Sequence, residues 1–309
     1  MKQEKKEIAE AIKEFLWHCR FEKKLDEKTI RAYRADLKQL VEIIGGTTDV
    51  FTISKADTKH YLQTIAHFKH KTVKRKIATL RSMLNYLEIE YEDYINPMRK
   101  MQIKMKEPIR LPVVMTIEEI RCILDFLYNR IPEHFEAVYS YKSAVRDIAV
   151  VELLFASGMR VSELCSLRNK DVDLENGEVR IIGKGNKERI VHICQPETLK
   201  ALRHWLEIEN GACGSQAPFF TNRLHRSLST QSVRQIIRHV ISATGIEKHV
   251  TPHTFRHTFA TLLLEEDVDV RYIQSLLGHS SIATTQLYTH VNPNKQRQIL
   301  QTKHPRRRI

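Results

Sequence analysis

Glycine and proline are scarce in this 309-residue chain, at ten and nine residues. That leaves little turn material for a sandwich or barrel of many short strands and favours a mainly helical fold. The five cysteines, Cys19, Cys122, Cys165, Cys194 and Cys213, are odd in number, widely spaced and without a CxxC pair, so neither a disulfide framework nor a zinc site is indicated. A long apolar run is also missing. The stretch from Ile148 to Ala156 contains Glu152 and is too short to cross a bilayer, and MKQEKKEIAE alternates charges where a signal peptide needs an apolar core. The expectation is a cytoplasmic protein with no membrane partner.

What is present is positive charge and a core. Fifty Lys and Arg face 37 Asp and Glu, a formal balance of +13, and 42% of residues are hydrophobic. The length suits two domains, and the charge favours polyanionic partners, nucleic acid first and acidic membrane surface second. Residues 1–106 hold 23 basic and 15 acidic side chains, which makes the first third the more basic by density. Helical periodicity joins Ile8, Ile12, Phe15, Leu16 and Cys19, then Ile30, Tyr33, Leu37, Leu40 and Val41. SKAD at Ser54 reads as a capped start of a third helix, and a fourth spans about 72–87. Asn96-Pro97 stops that pattern, and the prolines of MKEPIRLPVV favour extended backbone. The expected division is a four-helix domain over 1–104, a linker over 105–115 and a second domain over 116–309.

In the second domain TIEE offers another capping box, and an apolar helix from Ala144 to Ser157 ends at Gly158, a plausible left-handed cap. EVRII and ERIVHI alternate around Gly-Lys-Gly-Asn, as a β-hairpin does. Helices are expected after Pro196, after Ser229, from Pro252, over about 268–277, and in a short piece over 283–288.

Three clusters carry candidate chemistry: SGMRVSEL with Arg160, TPHTFRHTFA with His253 and Arg256, and LGHSSIATTQLYTH with His279 and Tyr288. Arg160 follows an apolar helix and its glycine, where a charge is costly without an anion or a carboxylate; Glu163 is the ordinary ion-pair alternative. His253 and Arg256, three apart at a helix start, share a face where free N–H groups favour an anion; simple capping and ion pairing is the alternative. His257 is expected to point away from His253. Lys184 sits between two glycines at the hairpin tip, where a lysine otherwise serves solubility. Lys187 and Arg189 are candidate contacts to backbone phosphates. Tyr288 is ordinarily a packing residue with a phenol of pKa near 10, and becomes a nucleophile only if cations neutralise the phosphate and favour the phenolate.

In order, Arg160, Lys184, His253, Arg256, His279 and Tyr288 resemble the signature of the tyrosine recombinase (phage integrase) family: Arg, a hairpin Lys, His-x-x-Arg, Gly-His and a nucleophilic Tyr. The resemblance covers essentially the whole chain and is nearest to Xer-like members. It implies a mainly α fold, with an N-terminal four-helix, SAM-like core-binding domain and a mostly helical catalytic domain carrying a small antiparallel hairpin or sheet. It also implies cleavage without metal or cofactor. Tyr288 would attack the scissile phosphate to give a 3′-phosphotyrosyl bond and a free 5′-hydroxyl. Arg160 and Arg256 would clamp the phosphate, Lys184 would protonate the leaving oxygen, His253 would serve as acid/base toward the tyrosine, and His279 would hydrogen-bond a phosphate oxygen.

The implied partners are double-stranded DNA with a specific core site, a homo-tetramer or a hetero-tetramer with a related recombinase, and accessory proteins, placing the protein at the nucleoid. The implied outcome is strand exchange through a Holliday junction, for DNA integration and excision or for resolution of chromosome or plasmid dimers. Candidate DNA readers in the first domain are Arg31, Arg34, Lys38, Lys71, Lys74 and Arg75, for which a solvated helix face is the alternative. The tail, NKQRQILQ and HPRRRI, reads as a segment that docks on a neighbouring protomer or as a disordered basic end. Two other classes stay open at this point: a DNA-binding protein that does not cut, and a type IB topoisomerase-like relaxer.

Overall fold

The computed structural model describes residues 5–103, 105, 112–131, 138–183, 188–209, 214–278 and 293–309. The chain divides into two compact units, Met1–Arg110 and Leu111–Ile309.

The first unit is built from α1 (Ile8–Phe21), α2 (Glu27–Ile44), α3 (Lys55–Thr64) and α4 (His70–Glu90). Each start has a local cause where a cap is seen. Asp26 accepts from the Thr29 N–H at 2.8 Å to open α2, and Ser54 with Asp57 forms a capping box that opens α3. Ile8, Ile12, Phe15 and Cys19 of α1, Leu37 and Leu40 of α2, and Ile77, Leu80, Leu84 and Leu87 of α4 make one apolar core. Inside this helical array α2 and α4 share a polar bond as well. The buried Asp36 accepts from Lys76 Nζ at 2.9 Å and Thr79 Oγ1 at 3.0 Å, and pairs with Arg75.

The second unit contains α5 (Ile117–Asn129), α6 (Val138–Ser157), α7 (Val161–Ser166), α8 (Pro196–Glu209), α9 (Thr230–Thr244), α10 (Pro252–Glu265), α11 (Val270–Leu277) and α12 (Pro293–Lys303). Strands β1 (Val172–Asp173), β2 (Glu178–Ile182) and β3 (Glu188–His192) form an antiparallel sheet in that order, with Val172 opposite Val179 and Ile182 opposite Glu188. α6 is the central helix, with buried residues on all its faces from Val145 to Ser157, as a helix apolar all round requires. Two buried carboxylates interrupt it, Asp147, which pairs with Arg146, and Glu152. Glu152, fully buried, accepts from Tyr128 Oη at 2.9 Å, Thr198 Oγ1 at 2.8 Å and Arg306 Nη2 at 2.9 Å.

Those contacts revise the reading of the tail. Over the described residues it is not a disordered end: α12 and the residues after it fold onto their own unit. Leu300 enters a core with Phe259 and Leu277, His304 is buried with its Nε2 3.1 Å from the Ala156 carbonyl, and Arg306 neutralises Glu152. α7, β1 and α12 were not anticipated. Met115, at the end of the expected linker, is already core, and its N–H donates to Thr258 Oγ1 at 3.0 Å. Most of the expected linker, the hairpin tip 184–187 and the short helix over 283–288 lie outside the described residues. No described helix is long and apolar enough to cross a membrane.

Candidate active site

The site begins where α6 stops. Gly158 adopts φ +59°, and a Cβ there would stand 2.6 Å from Phe259 and 2.9 Å from Leu277. Only glycine satisfies both the backbone turn and the close approach of α6 to α10 and α11. The chain leaves Gly158 to place Arg160 at the N-cap of α7, where its N–H donates to Glu163 Oε2 at 2.8 Å. Its guanidinium donates to Glu163 Oε1 at 2.8 Å and to the Gly278 carbonyl at 3.2 Å.

Arg256 arrives from α10, which Thr251 caps and Pro252 pre-organises at its first position. It is buried, yet its bonded partners are carbonyls: Nη1 to Gly158 at 3.0 Å and Nη2 to Leu277 at 2.7 Å. Burial, then Arg160, pushes its pKa down to about 10, with Glu163 opposing and Arg189 adding to the fall. A guanidinium held by partial charges among like charges is poised for an anion.

Arg189, read as a phosphate contact, is already engaged. From β3 it donates through Nη1 and Nη2 to Glu163 at 3.1 and 2.8 Å, and through Nε to the Leu276 carbonyl at 3.3 Å. Burial would raise the Glu163 carboxyl, but bonds from Arg189 and Arg160 outweigh it and hold the group below its ordinary range. Glu163 is therefore the anionic hub between the two arginines. The ion-pair alternative weighed for Arg160 exists, and it leaves the cluster rich in cations all the same.

His253 lies at the start of α10 with its ring partly enclosed. That enclosure first, then His257, Arg256, Arg234 and Arg160, lowers its pKa. His257 is exposed, as expected of a surface residue, but it does not turn from His253: a spacing of four along α10 sets it on the same face, and it acts on that ring electrostatically. Arg234 of α9, which sequence reasoning overlooked, belongs to the same neighbourhood; only its place on an exposed helix face marked it. The carbonyls of Leu276, Leu277 and Gly278 have no signature in side-chain letters.

Lys184, Lys187, His279 and Tyr288 lie outside the described residues. The structure thus brings Arg160, Arg256 and His253 into one neighbourhood. In the first unit Arg31, Arg34 and Lys38 are exposed on α2, and Lys71, Lys74 and Arg75 on α4. Arg75 is tied to Asp36. Among the described residues no group of three or more His, Cys, Asp or Glu side chains is arranged to hold a metal ion.

Comparison with known proteins bears on the family and the fold. The model described as "Phage integrase family" matches residues 114–295, and "Phage integrase, N-terminal SAM-like domain" matches residues 12–90. A tyrosine recombinase of Agathobacter rectalis is 42% identical over 297 residues, covering 96% of each chain. The tyrosine recombinase XerD of Halalkalibacterium halodurans is 34% identical over 303 residues, covering 96% of this chain and 97% of its own. Among solved structures, XerH bound to its difH substrate shares the fold at TM-score 0.70 and 21% identity, covering 93% of this chain and 94% of that one. Two domain models in the order the helices and hairpin demand, together with relatives matched over nearly their whole length, make this chain a member of the phage integrase family of tyrosine recombinases.

Proposed function

We propose that this tyrosine recombinase cleaves and rejoins DNA at a specific core site through the six residues Arg160, Lys184, His253, Arg256, His279 and Tyr288. The observation that carries the assignment is the pairing of Arg160 and Arg256. Arg160 at the N-cap of α7 and Arg256 of α10 both lean on the end of α11, and Glu163 is bonded to Arg160 but not to Arg256. A phosphodiester supplies the missing negative charge, and two guanidinium groups on its nonbridging oxygens stabilise the extra charge of a pentavalent transition state.

In this reading Tyr288 Oη attacks phosphorus, its proton passing toward His253, whose depressed pKa keeps the imidazole neutral at pH 7 and able to accept. The P–O5′ bond breaks, Lys184 gives the 5′-oxygen its proton, and the phosphotyrosyl ester conserves the bond for rejoining. His279 holds a phosphate oxygen. Rejoining to a partner duplex calls for four protomers on two sites and a Holliday junction, with either identical subunits or a related recombinase. The complexes of XerH and of lambda integrase with DNA support a DNA partner. The exposed bases of α2 and α4 are the proposed readers of the site. No relative described above favours the silent-binder or topoisomerase readings.

The test uses full-length protein and a nicked suicide duplex, selected by binding from random sequence. A covalent protein–DNA adduct from the wild type and none from Tyr288→Phe is expected. Adduct from both, or from neither, would falsify the assignment.

A further inference from the structure

We propose that Arg189 is a positioning residue for cleavage: it binds Glu163 and the end of α11 together, and through them holds Arg160 at the phosphate without touching DNA itself. The inference rests on the cleavage reading above and adds a residue that reading leaves out.

Three successive carbonyls at the end of α11 each take an arginine. Leu276 accepts from Arg189, Leu277 from Arg256 and Gly278 from Arg160. These belong to the last carbonyls of a helix, which lack intrahelical partners and carry its negative dipole end. The end of α11 is thus a template on which three cations are spaced, and Glu163 closes it by bridging Arg160 to Arg189.

Arg189 differs from the other two in how it is spent. All three of its nitrogen groups donate within the protein: Nε to Leu276, and Nη1 and Nη2 as a fork on the two Glu163 oxygens. Its side chain is 15% exposed against 34% for Arg160. The molecule also makes room for it. Gly278 has φ +64°, and a Cβ there would sit 2.9 Å from Arg189 Nη1. Turning Arg189 toward a phosphate would strip the buried Glu163 of its fork and leave Arg160 as its remaining cation, the costly direction for a buried carboxylate. Arg160 keeps the more exposed position, with one edge on the template.

Full-length wild type, Arg189→Lys, Arg189→Gln, Glu163→Gln and the Glu163→Gln/Arg189→Gln pair are compared on the suicide duplex in single turnover. DNA affinity is measured against salt in a Tyr288→Phe background, which also reports folding. Both Arg189 variants should form adduct about 10- to 100-fold more slowly, the range for outer-shell partners, with affinity and salt slope unchanged. Lysine should fail to rescue, because a point charge cannot reproduce the fork. The paired variant should be no slower than the slower single, as expected of two residues acting through one bond. A methylphosphonate at the scissile position, lacking the charge that Arg160 neutralises, should shrink the Arg189→Lys penalty.

Wild-type rates in both Arg189 variants would overturn the proposal, as would an undiminished penalty on methylphosphonate. So would full rescue by lysine, or a salt slope reduced by about one, since each marks a direct phosphate contact. Absence of adduct from the wild type itself would instead overturn the cleavage reading on which the inference stands.

Discussion

Asp36 in the first unit and Glu163 in the second are both buried carboxylates that accept from two cationic side chains across elements of the fold, but their surroundings differ. At Asp36 one cation, Lys76, is buried with it, while Arg75 is 44% exposed and answers to solvent. The buried charge there balances. Around Glu163 stand Arg160 and Arg189, with Arg256 and His253 close enough to depress one another or be depressed, and main-chain carbonyls seat the excess. A charge network that serves stability neutralises itself. One that awaits an anion is left positive: burial lowers Arg256 and His253 most, and the neighbouring cations that lower them further mark that imbalance.

The contrast breaks most visibly by removing its stable member. Asp36→Ala leaves Lys76 buried without its carboxylate and should cost about 3–5 kcal/mol, read as an earlier denaturant transition of the full chain. Its first-order cleavage rate on saturating DNA should stay at the wild-type value; a large fall there would mean that the two carboxylates do the same work. Arg256→Lys should do the reverse. Lysine keeps the charge but cannot span Gly158, Leu277 and a phosphate together, so adduct formation should drop about 10²- to 10³-fold while DNA affinity holds. A smaller test sharpens the second region alone. Gly278→Ala forces a side chain into a left-handed backbone, at about 1–2 kcal/mol, and pushes against Arg189. Thermal unfolding should register the strain, and the cleavage rate should fall by more than that strain explains if Arg189 positions Arg160.

The two regions were unequally legible in the sequence. Apolar periodicity foretold α1, α2 and α4, and capping letters foretold the starts at Ser54 and Thr116, because those signals are local. The family signature named Arg160, His253 and Arg256, and Gly158 was readable as a cap. Hidden were the interactions that depend on tertiary approach. Nothing near Arg189 announces a carboxylate 26 positions earlier, and nothing near Asp36 announces Arg75 and Lys76 on another helix. The disordered-end reading of the tail fails because only the buried Glu152 in the middle of an apolar helix explains why Arg306 of HPRRRI turns inward. Glu152 was seen in the sequence as an interruption of an apolar run rather than as half of a pair.

The smallest effect concerns protons. The folded pKa of His253 lies below the ordinary imidazole value of 6.5 because partial burial, then His257, Arg256, Arg234 and Arg160, all disfavour its charged form. A lowered histidine keeps its neutral form to lower pH than an ordinary one. Cleavage that uses the neutral ring should therefore decline on the acid side with a midpoint below 6.5. His304, buried and pushed down to about 4, binds no proton in the folded state over much of the same window while the unfolded chain does, so stability also falls there with pH. Single-turnover rates must accordingly be divided by the folded fraction at each pH. After that correction His257→Gln, which removes one of the neighbours that lower the ring and leaves burial and the three arginines, should move the acid limb upward toward 6.5 and not past it. An unmoved limb would mean that the shared face of α10 does not couple the two rings, and a limb moved downward would mean that His257 had been accepting from His253 rather than repelling its proton.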